Sequence, residues 1–305
     1  MTFNNITTPI TWGSDPEFFV CDAKGELLPA HERFYGEKPS LPVGIPYVDG
    51  FQAEFKTAVT KSPKELVDEI RKGLMIASTY LKPGEKITTK SLFETPEKYL
   101  RNFPPHIVQF GCKPSLNAYG LPALITEDCY TVPHRTAGCH VHIGFKEGLS
   151  RSMVNELVTH IDHVAGISSL AIMVGVEDPR RRNMYGKPGE YRLTPYGFEY
   201  RVFSSSILIH PAITRLHFEL VNIACKLFKQ AEWKDASYWT QTWIRDILSK
   251  GDIDGARHYI LAKPCLYNYH EIFELCGAKE WYMECLQNGC GKLGDDVLKN
   301  WGIRK

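Results

Sequence analysis

The sequence lacks the features that mark several classes of protein. No apolar run approaches the roughly 20 residues that a membrane-spanning helix needs, so we expect no membrane span. The 36 basic and 35 acidic residues leave a formal net charge of +1. This balance gives neither the overall basic surface typical of nucleic-acid binding nor an acidic tail. There are no internal repeats and no low-complexity segments, and the composition is that of an ordinary globular protein.

The cysteines also argue against a fold held together by disulfides or by structural zinc. There are nine, scattered along the chain, odd in number and without a Cys-x-x-Cys pair. This spacing disfavours a disulfide framework and a structural zinc site, and it fits a reducing compartment. The first residues lack the basic start and the apolar stretch of a signal peptide. We therefore expect a cytoplasmic protein.

Two amphipathic helices are predicted from their start signals and apolar spacing. The first begins at Ser62, with Glu65 at the capping-box position. The second begins at Ser150 and carries His160 and His163 one turn apart. No carboxylate partner is evident for these two histidines, so we expect both on the helix surface.

The chain changes character near residue 210. Before this point, predicted strands alternate with the two helices, whereas from Pro211 the pattern is mainly helical. The 305 residues suffice for one large domain or two modest ones. Because no Gly/Ser linker separates the two parts, we predict an α+β core over residues 1–210 and a helical part over residues 211–305 that packs on it.

Four short stretches place charged or imidazole side chains on predicted strands. Side chains alternate between the faces of a strand, so residues two apart share a face. The pairs are Asp15 with Glu17, Gln52 with Glu54, His140 with His142, and Glu199 with Arg201. Their neighbours are mostly apolar and suit the buried face. Close carboxylates raise each other's pKa, and a bound divalent cation removes that repulsion. The pattern therefore indicates a metal and phosphate site.

Each pair also has an ordinary structural interpretation. Asp15 and Glu17 fit a turn acid followed by a solvent-facing carboxylate, and a lone His-x-His motif is often structural. Glu199 and Arg201 fit a surface ion pair, worth under about 1 kcal/mol.

The dense basic segment Arg180–Arg192 contains the side chains of Arg180, Arg181, Arg182, Lys187 and Arg192. It fits a solvated loop, a nucleic-acid patch or a phosphate clamp, because guanidinium forks match phosphate oxygens. Gly186 and Gly189 would let the segment fold over a nucleotide. The neutral overall charge favours the clamp over a nucleic-acid patch.

The order of these motifs carries more information than any one of them. It runs acid-x-acid, Gly-x-x-x-Glu, His-x-His, an arginine segment and Glu-x-Arg. This order resembles that of the glutamine synthetase-like carboxylate–amine ligases, which include glutamate–cysteine ligases. It is most similar to that of the phage-type carboxylate–amine ligases, amidoligases of tailed bacteriophages. The resemblance covers roughly residues 10–206.

The resemblance implies a role for each motif residue. The implied metal ligands are Asp15, Glu17, Glu54, His140 and Glu199, with Asp49 as a second acid beside Glu54. The implied arginines that face the transferring phosphate are Arg182, Arg192 and Arg201. His142 would face the nucleotide phosphates, and we add Arg180 and Lys187 as candidate nucleotide-binding residues.

The resemblance further implies a fold and an activity. The fold would be a curved antiparallel sheet with helices on its outer face and the metals in its concave mouth. The activity would be ATP-dependent amide formation through an acyl phosphate, with Mg²⁺, or Mn²⁺ in its place. The substrates would be a small-molecule or peptide carboxylate and an amine. A modified nucleobase acceptor and a homo-oligomer stay open, and a phage-encoded protein would act in the host cytoplasm.

Three alternatives stay open at this point. A guanidino-type phosphotransferase shares the sheet and the metal chemistry but stops at phosphoryl transfer. A metal-dependent hydrolase would use His140 and His142. A non-catalytic phage structural protein would keep the sheet without the chemistry.

Overall fold

The computed structural model describes residues 9–35, 42–110, 115–122, 128–146, 148–229, 238–261, 268–275 and 279–303. The strands are β1 (Thr11–Phe18), β2 (Val20–Cys21), β3 (Leu27–Leu28), β4 (Tyr47–Asp49), β5 (Gln52–Glu54), β6 (Lys86–Ile87), β7 (Leu92–Glu94), β8 (Leu116–Asn117), β9 (His134–Thr136), β10 (Cys139–Gly144), β11 (Glu190–Thr194) and β12 (Gly197–Tyr200). The helices are α1 (Pro63–Ser78), α2 (Glu97–Leu100), α3 (Pro105–Val108), α4 (Arg151–Ile161), α5 (Ile167–Ile172), α6 (Arg181–Met184), α7 (Pro211–Lys229), α8 (Tyr238–Lys250), α9 (Ile253–Leu261), α10 (Tyr269–Leu275), α11 (Lys279–Asn288) and α12 (Val297–Asn300).

Within these ranges, seven strands form one sheet in the order β4-β5-β1-β10-β12-β11-β8. Every neighbouring pair in this sheet is antiparallel. Together with the helices, this confirms the α+β fold predicted from the sequence.

The two faces of the sheet differ as the alternating pattern predicts. Trp12, Phe18, Val141, Ile143 and Phe198 are buried on one face. They join the buried residues of α1, α4 and α7 in one hydrophobic core. Burial of this apolar surface holds the helices on the sheet. The acids and imidazoles occupy the opposite face.

Helix α1 begins where its capping signals predict. The Ser62 hydroxyl accepts the Glu65 N–H at 3.3 Å, and the Glu65 carboxylate accepts the N–H of Lys61 at 2.9 Å. The first bond satisfies an N–H group that the first turn would otherwise leave unpaired, and the second ties the residue before the N-cap to the start of the helix. Helix α1 then runs to Ser78 with Leu66, Ile70 and Leu74 buried on its inner side.

The second predicted helix is more deeply buried than expected. Helix α4 continues through a π-helical turn, Asp162–Gly166, into α5. The expected surface location of His160 and His163 is wrong, because both are buried. Phe228 of α7 packs on the His160 ring, and Tyr269 of α10 donates a hydrogen bond to the His163 carbonyl. Burial lowers the pKa of His160 to about 3 and that of His163 to about 4.

From Pro211 onward the described chain is helical, and several contacts tie it to the core. Trp301 is 2% exposed, and its indole N–H donates to the carbonyl of Leu208 at 2.6 Å. Lys86 forms an ion pair with Asp295 at 2.9 Å. The division near residue 210 stays a prediction. None of the helices in the described part of the chain combines the length and apolar surface needed to cross a bilayer.

Candidate active site

The strand register brings the four motif stretches together on the polar face of the sheet. β10 lies between β1 and β12, and β5 lies on the far side of β1. The cross-strand pairs are Glu17–Glu54, Asp15–His140, His142–Glu199 and Arg192–Glu199. Residues paired in this way hold their side chains close together on one face. Sequence-distant acids and imidazoles thus form one site.

Asp15 and Glu199 form the centre of the site with two imidazoles. Nδ1 of His140 lies 3.1 Å from Asp15 Oδ1 and 3.1 Å from Glu199 Oε1. Nε2 of His142 approaches the other oxygens of the same carboxylates, at 3.2 Å from Asp15 and 4.0 Å from Glu199. Asp15, His142 and Glu199 each offer one ligand atom, these atoms lie within 4.8 Å of one another, and Nε2 of His142 is buried. Buried polar atoms arranged like this suit a bound cation.

A second group of acids lies beside the first. Glu17, Asp49 and Glu54 each offer a carboxylate oxygen, and these oxygens lie within 4.8 Å of one another. The Tyr47 hydroxyl donates to Glu54, and the N–H of Gly138 donates to Glu17 at 2.6 Å. Such an all-oxygen set is the kind that Mg²⁺ prefers.

The charges in the site are strongly coupled to one another. Burial raises the pKa of Glu17, and the Asp49 charge adds to this against the opposing charge of His140. Burial alone would raise the pKa of Asp15, but His142 and His140 outweigh it, so the pKa lies well below its ordinary value.

His140 is the main counter-charge of these acids. Burial acts to lower its pKa, but Asp15, Glu17 and Glu199 raise it to about 10. The pKa of Glu199 falls to about 2, because His140 and Arg201 outweigh its burial and the Asp15 charge. Binding of a cation to His140 would therefore compete with protonation of its ring.

Two of the predicted catalytic arginines flank Glu199. Arg201 is 1% exposed, with Nε 2.9 Å from Glu199 Oε1 and Nη1 donating to Ser115 Oγ at 2.9 Å. Arg192 forms an ion pair with the other oxygen of Glu199, and 34% of its side-chain surface is exposed. Arg201 is thus fixed inside the site, while Arg192 reaches its open side.

Two further arginines of the basic segment are buried elsewhere. Nη2 of Arg182 lies 3.2 Å from Glu177 Oε1, and Arg181 donates to the carbonyls of Val202 and Phe203 at 3.1 and 2.9 Å. In the described contacts, Arg182 touches neither acid group. Its role in phosphate transfer stays a prediction.

Arg180 and Lys187 of the same segment have partners outside the site. Arg180 is exposed and forms ion pairs with Glu94 at 2.6 Å and with Asp178 at 2.7 Å. Lys187 Nζ donates to the carbonyl of Pro122 at 2.9 Å. These contacts do not join them to the acids, and their roles in nucleotide binding stay predictions.

Sequence reasoning missed two tyrosines that contact the imidazoles. Tyr185 Oη lies 2.9 Å from Nε2 of His140. Tyr196 Oη lies 2.6 Å from Nδ1 of His142, and the two rings stack with centroids 6.0 Å apart. The available signal was position alone, since Tyr185 lies inside the basic segment and Tyr196 just before the Glu-x-Arg motif.

Comparison with known proteins supports a ligase. Residues 129–243 match the model of a family described as phage phiEco32-like COOH.NH2 ligase-type 2. Over this range, which holds both histidines of the site, the basic segment and Glu199, the match confirms the resemblance to phage-type carboxylate–amine ligases. Asp15, Glu17 and Glu54 lie outside the matched range.

Two further comparisons add little about activity. No curated protein sequence matches the chain. Among solved structures, a bifunctional glutathione synthetase from Pasteurella multocida aligns with a TM-score of 0.39 and 10% identity. The alignment covers 95% of this chain and 49% of that one, so the chain spans about half the length of the synthetase.

Proposed function

We propose that this protein is an ATP-dependent carboxylate–amine ligase that forms an amide or peptide-type bond through an acyl phosphate. One observation carries the proposal. On one face of the sheet, Nδ1 of His140 lies 3.1 Å from a carboxylate oxygen of Asp15 and 3.1 Å from one of Glu199. Arg192 and Arg201 flank Glu199 on the same face. Acids, an imidazole and fixed guanidinium groups together suit the binding of a nucleotide with divalent cations.

The residues present fit two divalent cations. Asp15, His140 and Glu199 would hold one, and Glu17 and Glu54, with Asp49, would hold the other. Mg²⁺ is favoured by the oxygen-rich donor set, and Mn²⁺ accepts the imidazole as well. When bound, such cations neutralise charge on phosphate oxygens.

The arginines would supply the remaining positive charge. A guanidinium group is planar, stays protonated and matches two phosphoryl oxygens at once. Arg201 is held by Glu199 and Ser115, so it needs little reorganisation when charge develops on the phosphoryl group. Arg192 lies on the open side, where it would face the incoming phosphate.

The bond changes follow from the proposed roles. A substrate carboxylate oxygen attacks the γ-phosphorus of ATP, the bond to the β-phosphate oxygen breaks, and ADP leaves. The amine nitrogen then attacks the acyl carbon, phosphate departs with the bridging oxygen, and the nitrogen loses a proton. No covalent enzyme intermediate is needed. Cys139, next to His140, is unsuited to that role, because burial raises the pKa of its thiol to about 12.

A screen for ATP consumption tests this proposal. The purified chain would be given ATP and Mg²⁺ with pools of amino acids, peptides, polyamines and modified nucleobases, and the products would be analysed by mass spectrometry. We expect ADP release that depends on one carboxylate, and an amide that depends on one amine. ATP-independent hydrolysis would instead favour a hydrolase using His140 and His142. A phosphorylated guanidino compound with no amide would favour the phosphotransferase.

A further inference from the structure

Tyr185 joins the basic segment to the centre of the site. It directly follows helix α6, and its hydroxyl oxygen lies 2.9 Å from Nε2 of His140. Its ring lies 4.9 Å from the guanidinium carbon of Arg201 and 5.5 Å from that of Arg181. One side chain thus contacts the imidazole of His140 and the guanidinium groups of Arg181 and Arg201.

The position of Tyr185 is itself fixed by its surroundings. Arg181 is anchored on the carbonyls of Val202 and Phe203 and packs against the Tyr185 ring. The next residue, Gly186, has a φ of +75°, and a Cβ atom there would collide with the Arg181 guanidinium. This conformation favours glycine and turns the chain so that Tyr185 faces the sheet.

The two nitrogens of His140 face different partners. Nδ1 lies between Asp15 and Glu199, 3.1 Å from an oxygen of each. A cation held by these two carboxylates would take the lone pair of Nδ1, so the ring proton would have to sit on Nε2. The Tyr185 hydroxyl oxygen is placed to accept that proton in a hydrogen bond. Partners of this kind orient metal-binding imidazoles and set their tautomer.

We propose that Tyr185 is a positioning residue that presents Nδ1 of His140 to the cation held by Asp15 and Glu199. The inference rests on the proposed function only in requiring that the site bind a divalent cation. The Tyr185 ring also packs against the Arg201 guanidinium, so it would hold Arg201 beside that cation.

The other imidazole provides a matched control. Nε2 of His142 also reaches Asp15 and Glu199, but at 3.2 and 4.0 Å, and its Nδ1 has a tyrosine partner of its own in Tyr196. Tyr185→Phe and Tyr196→Phe each remove a hydroxyl group that contacts one of the two imidazoles. The comparison therefore separates the two histidines.

The test measures Mn²⁺ binding by the full-length chain, without substrates, using calorimetry and pulsed EPR. We expect Tyr185→Phe to weaken Mn²⁺ affinity by roughly 10–100-fold, and Tyr196→Phe to change it by less than about twofold. The ¹⁴N coupling of a directly bound imidazole should persist in His142→Gln and vanish in His140→Gln. A larger loss in Tyr196→Phe, a coupling lost only in His142→Gln, or unchanged affinity in Tyr185→Phe would overturn the inference.

The outcomes separate this inference from the proposed function. A wild-type chain that binds no Mn²⁺ or Mg²⁺ would contradict both, whereas binding through His142 would contradict the inference alone. Melting of each metal-free variant checks its folding. If Tyr185→Phe does not fold, nitrogen NMR of the Mg²⁺-bound wild-type chain can show which ring nitrogen of His140 carries the proton. A proton on Nε2 of His140 supports the inference, and a proton on Nδ1 overturns it.

Discussion

Arg201 gives the sharpest prediction about the chemistry. Its guanidinium makes contacts in three directions: Nε to Glu199 at 2.9 Å, Nη1 to Ser115 at 2.9 Å, and its face to the Tyr185 ring. Arg201→Lys keeps the positive charge, but one ammonium group cannot replace the planar fork. Loss of one oriented donor at a buried reaction centre typically lowers kcat by about 10²–10³-fold. We therefore expect kcat to fall by about 10²-fold or more, on the order of 3 kcal/mol of transition-state stabilisation.

The assay is steady-state ADP release with the substrate pair found by screening. Arg215→Lys is the matched control, because Arg215 is a largely exposed residue of α7 whose ion pair with Glu219 spans 3.6 Å. That variant should keep wild-type kcat, and the Arg201 variant should still melt cooperatively. A folded Arg201→Lys protein with near-wild-type kcat would show that Arg201 is only a structural partner of Glu199.

Three other predictions follow from the charges. Glu17→Gln and Glu54→Gln should each abolish turnover. Each should leave the Tm of the metal-free protein, measured by calorimetry, equal or higher, because it removes one of several close negative charges. A clear fall in Tm would show that the residue has a structural role instead. ATP should bind with Mg²⁺ and much more weakly in EDTA; equal affinities in titration calorimetry would argue against the cation site. Burial raises the pKa of Asp162 to about 7, whereas an unfolded aspartate titrates near about 4. Between these two pH values Asp162 is protonated in the folded state and ionised in the unfolded state. The free energy of unfolding therefore falls as pH rises through this range. The Tm of the wild type should drop between about pH 5 and about pH 8 more than that of Asp162→Asn, and equal drops would refute this.

Local patterns predicted the parts of the site that lie on strands. Alternation along β1 and β10 is a property of the backbone, so the shared face of Asp15 and Glu17, and of His140 and His142, could be read from the sequence. The start of α1 at Ser62 was also predictable, because helix capping depends only on residues close together in the sequence.

Contacts between distant segments could not be predicted in this way. The burial of His160 depends on α7, which follows in the chain after the whole sheet. Arg182 appeared equivalent to Arg192 in the basic segment, but only the folded chain shows that Arg182 pairs with Glu177 and Arg192 with Glu199. The position of Tyr185 inside the basic segment did not predict its contact with His140, because that contact is set by the path of the loop around Gly186.

Trapping with hydroxylamine tests the central claim most directly. The chain would be incubated with ATP, Mg²⁺ and the carboxylate that stimulates ADP release, with hydroxylamine in place of the amine. An acyl phosphate intermediate predicts a hydroxamate of that carboxylate, formed in step with ADP and absent when ATP is omitted. ADP formation from that carboxylate with no hydroxamate, and no amide with any amine, would contradict the proposed mechanism.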